Sequence, residues 1–185
     1  MQILIDTREQ DALTFQFVDG VSVKSECLKV GDYTARHKDG SMDTAVIERK
    51  SIADLFHSFT HEYENEKAKI MRAKDMGLTY VLAVEAPALE VRKGHTYRKG
   101  GEVFEVKKSG ISQVRQIMTI ERKYGISVWW CVSRAEMAFR IQEYFLAAER
   151  IKLEEAKNVK ARRIVDGALR ERIRKDEGGA DGKTG

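Results

Sequence analysis

At residues 44–59 the sequence reads TAVIERKSIADLFHSF, and within it the hydrophobic period switches from that of a strand to that of a helix. TAVIERK has the short, largely apolar pattern of a strand. Ile52, Leu55, Phe56 and Phe59 then fall at i, i+3, i+4 and i+7, one face of a helix. Ser51 stands where the N-cap belongs, and Asp54 completes a capping box with it. The charges at the junction are the unusual part. Glu48, Arg49 and Lys50 follow directly on Val46 and Ile47, and strand alternation puts Glu48 and Lys50 on one face and Arg49 on the other. Such a run is pushed to solvent unless it lies at the mouth of a site.

The rest of the chain continues this alternation of periods. QILID (2–6), VSVKSECL (21–28) and VGDYTARH (30–37) read as strands, with the charged loop TREQD after the first and turn chemistry in KDGSMD. HEYENEKAKIMRAKDMG (61–77) predicts a second helix stopped by Gly77. TYVLAVEA (79–86) predicts an apolar strand of the parallel-sheet type, ended by the single proline, Pro87. Residues 88–108 predict a basic hairpin with KGG at its turn. GISQVRQIMTIERKYG (110–125) predicts a helix with Ile111, Val114, Ile117 and Met118 on one side, and ISVWWCVS (126–133) another buried strand. From Arg134 a long helix is expected, with Met137, Ile141, Tyr144, Phe145 and Ala148 facing inward.

Strands alternating with helices predict an α/β protein with a central mixed β-sheet flanked by helices. Its core is expected over residues 1–150. A charged helical arm follows over 151–176, with a thin stripe of Ala161, Ile164, Val165, Ala168 and Leu169, and the tail 177–185 is expected to be disordered.

At 185 residues the chain is long enough for one good core. Apolar residues make up 42% and charged residues 34%, as in a globular protein with a heavily charged surface. No apolar run approaches membrane-spanning length, so no membrane partner is expected. The net charge of +4 tolerates a polyanionic partner without proving one. Cys27 and Cys131 are too few for a disulfide framework or a cysteine zinc site, and read as small hydrophobes. With an N-terminus that turns charged by Asp6, these features lead us to expect a reducing, cytoplasmic location.

A hairpin connection between the strand regions of Asp32 and Glu48 brings two carboxylates side by side. Two hard oxygen ligands with open positions for water and phosphate suit Mg²⁺ or Mn²⁺. An adjacent lysine ammonium can orient the attacking water or neutralise charge building on a phosphate. This is the D…(D/E)-x-K pattern of metal-dependent nucleases. The tripeptide alone is unspecific, and the apolar residues ahead of it and the capped helix behind it add the weight.

GDY at 31–33 followed by VIERKSIADL at 46–55 resembles the signature of the XPF-type structure-specific endonucleases. LIDTRE at 4–9 resembles that family's first strand and loop, and TYVLAVE and ISVWWCVS resemble its later core strands, in order. The resemblance covers residues 1–150. It implies a restriction-endonuclease-like core that hydrolyses DNA phosphodiesters, on branched or junction DNA, with Mg²⁺ or Mn²⁺ and no small-molecule cofactor. It implies that Asp32 and Glu48 hold the metal and that Lys50 serves the water or the scissile phosphate. Asp6 and Glu9 stand at the site's edge as further ligands or supporting groups, Arg8 and Arg49 steady phosphates or carboxylates, and Asp54 closes the motif.

Plainer readings stay open beside these roles. Asp54 reads equally as the capping acid, Arg49 as a solvated strand charge, and Asp6 and Asp32 as turn residues. His57 and His61 follow the motif closely enough to raise a catalytic role against an ordinary surface one. Trp129 and Trp130 read as core before they read as a base-stacking platform. The chain also departs from the family's cellular members, because nothing after residue 150 carries the Gly-containing hairpins of a tandem helix-hairpin-helix domain. The basic hairpin, through Arg92, Lys93, Arg98 and Lys99, and the charged arm are the replacements for gripping DNA. A homodimer is an expectation that the family brings. A DNA-binding scaffold that does not cut, and an RNA-processing nuclease, are the competing readings.

Overall fold

Strand β1 (Gln2–Asp6) organises the sheet, pairing parallel with β2 (Ser22–Glu26) on one side and antiparallel with β3 (Tyr33–Arg36) on the other. β4 (Ala45–Lys50) lies antiparallel to β3, and β5 (Thr79–Val84) is parallel to β4 in full register, with Glu48 opposite Leu82 and Lys50 opposite Val84. A separate antiparallel hairpin, β6 (Thr96–Lys99) and β7 (Glu102–Glu105), precedes β8 (Ser127–Trp130), which pairs parallel with β5. The result is a mixed six-stranded sheet of order β2-β1-β3-β4-β5-β8. The helices are α1 (Ile52–His61), α2 (Tyr63–Asp75), α3 (Ala88–Arg92), α4 (Gly110–Tyr124) and α5 (Arg134–Gly178). This computed structural model describes residues 1–15, 20–99, 102–105 and 108–178, with backbone alone at 97–99, 102–105 and 172–178.

The sequence's alternation sorts the core into two layers, one on each face of the sheet. Ile47 turns to the layer of Ile3, Tyr33, Val81, Met137, Ile141 and Phe145, which seats the start of α5. Val46 turns to the layer of Leu55, Phe59, Ile70, Leu82, Ile117 and Ile120, where α1, α2 and α4 pack. Each β4 residue therefore belongs to one helical layer or the other, and the charges at its end inherit that division. The chain divides into two compact units, Met1–Leu146 and Ala147–Gly185. In the second, Ile164, Val165 and Leu169 of the expected stripe are exposed. The expected tail falls outside the described residues from 179 onward. Among the described residues no helix is long and apolar enough to cross a membrane.

Two local expectations are corrected. Residues 88–92 are helical, with Pro87 at the N-cap in an extended conformation. A proline's fixed φ and missing N–H suit a helix start, so Pro87 opens α3 where a hairpin strand was expected. Arg92 and Lys93 consequently end a helix, and Lys93 pairs with Glu90 at 2.7 Å. Arg98 and Lys99 lie on β6, but their side chains are outside the described residues, as are Gly100 and Gly101, where the turn was expected. The inner face of α4 is also rotated from the expected one. Gln113, Ile117, Ile120 and Tyr124 are buried, while Ile111 and Met118 are 42% and 48% exposed. The apolar pattern misplaced this face because a buried amide, Gln113, occupies part of it.

One glycine sets the entry to the site. Gly31 has φ of +76°, and a Cβ there would come 3.0 Å from Val46 Cβ. The left-handed conformation costs an L-residue roughly 1–2 kcal/mol, and the packed strand beneath adds to it. Gly31→Ala is expected to lower the unfolding free energy by about 1–3 kcal/mol, measured by urea denaturation. An unchanged midpoint would show that the turn relaxes at no cost.

Candidate active site

Asp32 follows this turn and is tied to two strands. Its N–H donates to the Ile47 carbonyl at 2.8 Å, its carbonyl accepts from Asp6 N–H at 2.8 Å, and its Oδ2 accepts from Arg49 N–H at 2.8 Å. These bonds aim the side chain at the end of β4. Asp32, Glu48 and Glu9 line two clefts, of about 250 and 370 Å³. The structure therefore places the two carboxylates expected from the sequence in the same clefts.

On that face Glu48 is 4% exposed. Its Oε1 accepts from Lys69 Nζ at 2.6 Å, with Lys50 Nζ at 3.2 Å. Lys50 is held in turn by Glu66 Oε1 at 2.9 Å and Ser58 Oγ at 3.2 Å, and Lys69 also reaches Glu66 at 3.2 Å. Burial opposes the Lys69 charge, but Glu48 and Glu66 outweigh it and raise its pKa above the ordinary lysine value. Burial, with Glu48, pushes the Asp32 carboxyl up to about 7, against the lowering effect of the Arg49 N–H bond. The Tyr80 hydroxyl is buried without a hydrogen-bond partner among the described residues. Burial, then Glu48, Glu66 and Asp32, holds its pKa well above the ordinary phenol value.

Arg49 takes the opposite face, as strand alternation requires. It bonds Glu85 at 2.7 Å and Glu9 at 3.2 Å and lies 3.5 Å from Asp11. Arg134, at the start of α5, bonds Glu85 at 2.9 Å and Asp11 at 2.8 Å. Arg49 is thus a buried cross-link joining β4 to the loop after β1 and the end of β5.

Of the two roles left open for Asp6, ligand or supporting group, its hydrogen bonds are those of a supporting group. Oδ1 accepts from Arg8 N–H at 2.8 Å and Arg8 Nε at 2.7 Å, while Oδ2 accepts from Arg8 Nη2 at 2.9 Å and Leu28 N–H at 2.7 Å. With both oxygens doubly bound, a metal ion would have to break the Arg8 fork. The Arg8 side-chain bond, outweighing burial, lowers the Asp6 pKa. Asp6 and Arg8 together pin the loop onto Leu28, whose carbonyl also accepts from Arg8. Ser51 caps α1, and Asp54 of its first turn lines the larger cleft: the Asp54 N–H donates to Ser51 Oγ at 3.1 Å, and that hydroxyl donates to Asp54 Oδ2 at 2.6 Å. His57, His61, Arg92 and Lys93 line neither cleft. Glu66, Lys69, Ser58, Tyr80, Glu85 and Arg134 were not foreseen. Only the position of Glu66, one turn ahead of Ile70 on the helix, could have signalled any of them.

Among the described residues no three His, Cys, Asp or Glu side chains form a group that could hold a metal ion. That still fits Mg²⁺ or Mn²⁺, which bind through one or two carboxylates with water and substrate oxygens completing the shell. The charges fit as well: the Asp32 carboxyl is raised by its neighbour Glu48, which itself draws a lysine to 2.6 Å.

The family model of the ERCC4 domain matches residues 5–143. Among solved structures, XPF from Aeropyrum pernix is similar, with TM-score 0.55 and 18% identity, covering 86% of this chain and 69% of that one. XPF from Aeropyrum pernix in complex with DNA gives TM-score 0.54 and 20% identity, covering 83% and 66%. At these identities the likeness is one of fold. No curated protein matches the chain.

The raised Asp32 carboxyl gives a test free of any ligand. A carboxyl whose native pKa exceeds its unfolded value binds protons more tightly when folded, so its contribution is full below the unfolded value of 3.8. That contribution is lost as pH rises towards 7. Asp32→Asn keeps an acceptor for Arg49 N–H and never ionises. In metal-free protein it is expected to raise the melting temperature at pH ~8 and to lose that gain by pH ~4. A gain that is the same at both pH values would refute the charge crowding.

Proposed function

The chain belongs to the ERCC4 domain family, and from that premise we propose that it is a divalent-metal-dependent endonuclease hydrolysing DNA phosphodiester bonds. The observation that carries the reading is the placement of Asp32 and Glu48 in shared clefts with Lys50 on the same face of β4. Asp32 and Glu48 are the residues to hold Mg²⁺ or Mn²⁺, which when bound supplies Lewis acidity at a phosphate oxygen. Lys50, fixed by Glu66 and Ser58, presents a positioned cation to the oxygen on which charge grows as the P–O bond breaks. Arg49 keeps the end of β4 in place through Glu9 and Glu85. Branched and junction DNA is the substrate form that the family resemblance supports.

The decisive assay sets purified protein with Mg²⁺ or Mn²⁺ against single-stranded, duplex, flap and fork DNA, with an RNA control. Cutting of DNA that EDTA stops is the expected result. Binding without cutting would leave a scaffold, and preference for RNA would replace the substrate. Glu48→Gln is expected to abolish cleavage with the fold intact. Lys50→Ala is expected to lose about 10²–10³-fold in rate, the usual worth of one positioned donor at developing charge.

Arg49→Ala is expected to fail differently. It strands Glu9 half-buried without its cation and leaves Glu85 to Arg134 alone, so about 3 kcal/mol of stability goes with it. Equal losses of cleavage rate for Lys50→Ala and Arg49→Ala, measured where both variants remain folded, would contradict this division of labour.

A further inference from the structure

The smaller cleft carries cations that neither the chemistry nor the scaffold uses. Lys29, in the loop between β2 and β3, and Arg72, in the last turn of α2, line it together with Asp32 and Glu48. Both are exposed, and among the described residues neither side chain makes an ion pair or a hydrogen bond. Their neighbours behave otherwise. Arg8 is bound to Asp6, and Lys69 to Glu48 and Glu66. Asp6 and Glu48 have therefore each taken a cation of this cleft, yet two more cations stand on elements that approach it separately, one from a loop and one from a helix.

The larger cleft has the opposite character. Besides Asp32, Glu48 and Glu9, it is lined by Asp11 and Asp54. Its two cations, Arg49 and Lys50, are engaged with Glu85, Glu9 and Glu66. A phosphodiester chain entering there meets carboxylates, whereas on the α2 side it meets a free ammonium and a free guanidinium. A guanidinium can bind two phosphate oxygens at once, and a lysine adds a mobile point charge.

We propose that Lys29 and Arg72 form a phosphate-binding subsite that grips the DNA backbone next to the bond to be cut, so that the strand is held on the α2 side of Asp32 and Glu48. The subsite rests on the DNA-nuclease reading above and adds a direction to it. The charge asymmetry of the two clefts fixes which side anchors the substrate.

The test is Lys29→Ala/Arg72→Ala in the Glu48→Gln background, where no cutting disturbs equilibrium. Anisotropy of fluorescein-labelled duplex and flap DNA is measured across a salt series. Each lost phosphate contact should flatten the slope of log affinity against log salt by about 0.9 on duplex DNA. Melting temperature should not change, because both side chains are exposed and unpaired. A control, Arg122→Ala/Lys123→Ala in the last turn of α4, removes as much charge from residues that line neither cleft. It should leave the slope near that of the parent. A double variant with the parent's slope, or a control that flattens it equally, overturns the subsite while leaving the nuclease reading intact. A Glu48→Gln parent that binds none of these DNAs overturns the nuclease reading, and the subsite with it.

Discussion

The site depends on how the backbone of Asp32 is held. Its N–H is bound to β4 through Ile47 and its carbonyl to β1 through Asp6, while its carboxylate receives the N–H of Arg49. Three hydrogen bonds at one residue, just after a left-handed glycine, lock the start of β3 between two strands. Each is individually modest, about 0.5–1.5 kcal/mol net for a neutral pair. Their combined effect is geometric: the backbone of Asp32 cannot leave the end of β4 without breaking the bonds to two strands, and the Arg49 N–H aims its carboxyl there. Rigid strands position charged groups more firmly than loops do, and here a strand end does so for two like charges.

That arrangement is costly for the fold alone. Glu48, Lys50 and Glu66 are all buried, and each buried ion carries a desolvation penalty of several kcal/mol before pairing. Lys50 and Lys69 offset part of it by bridging Glu48 and Glu66. Asp32 receives no comparable cation and takes up protons near neutrality instead. A sheet stabilised for its own sake would place apolar side chains at these positions, as it does at Leu82 and Val84 on the neighbouring strand. Arg49 shows the contrast across the same strand. Its acids, Glu85 and Glu9, are paired with it, and the result ties secondary elements together.

Much of this could be read from the sequence. The strand-to-helix switch at 44–59 locates β4 and α1, and the period-2 rule alone separates Glu48 and Lys50 from Arg49. Ser51 formed the expected N-cap, with the Asp54 carboxylate bonded to its hydroxyl and not to its N–H. Local rules worked there because each depends on neighbours a few residues apart. They failed where a distant partner decides the outcome. Asp6 looks like a free acid beside a loop, and the folded approach of Leu28 adds a second bond at Oδ2 to the fork from Arg8. Gln113 looks like a surface amide, and only the packed fold, in which it reaches the Leu55 carbonyl of α1, buries it. α3 was missed because five residues make too short a window for a period to declare itself.

Glu66 shows most clearly why half of the charge cluster stayed hidden. In YENEKAKIMRAKD nearly every other residue is charged, so the helix reads as solvated all round. Its buried residues are Glu66, Ile70 and Ala73, spaced at i, i+4 and i+7. The apolar face is therefore only two residues wide at its C-terminal end, and a carboxylate completes it at the other. That carboxylate is tolerated because the strand it covers ends in Lys50, whose ammonium it meets at 2.9 Å. Helix and strand thus each carry a residue that would be wrong in an apolar layer, and each is explained by the other. Neither segment reveals this alone. The pairing exists only once β4 and α2 are packed, so it belongs to the fold's register and not to either segment's composition.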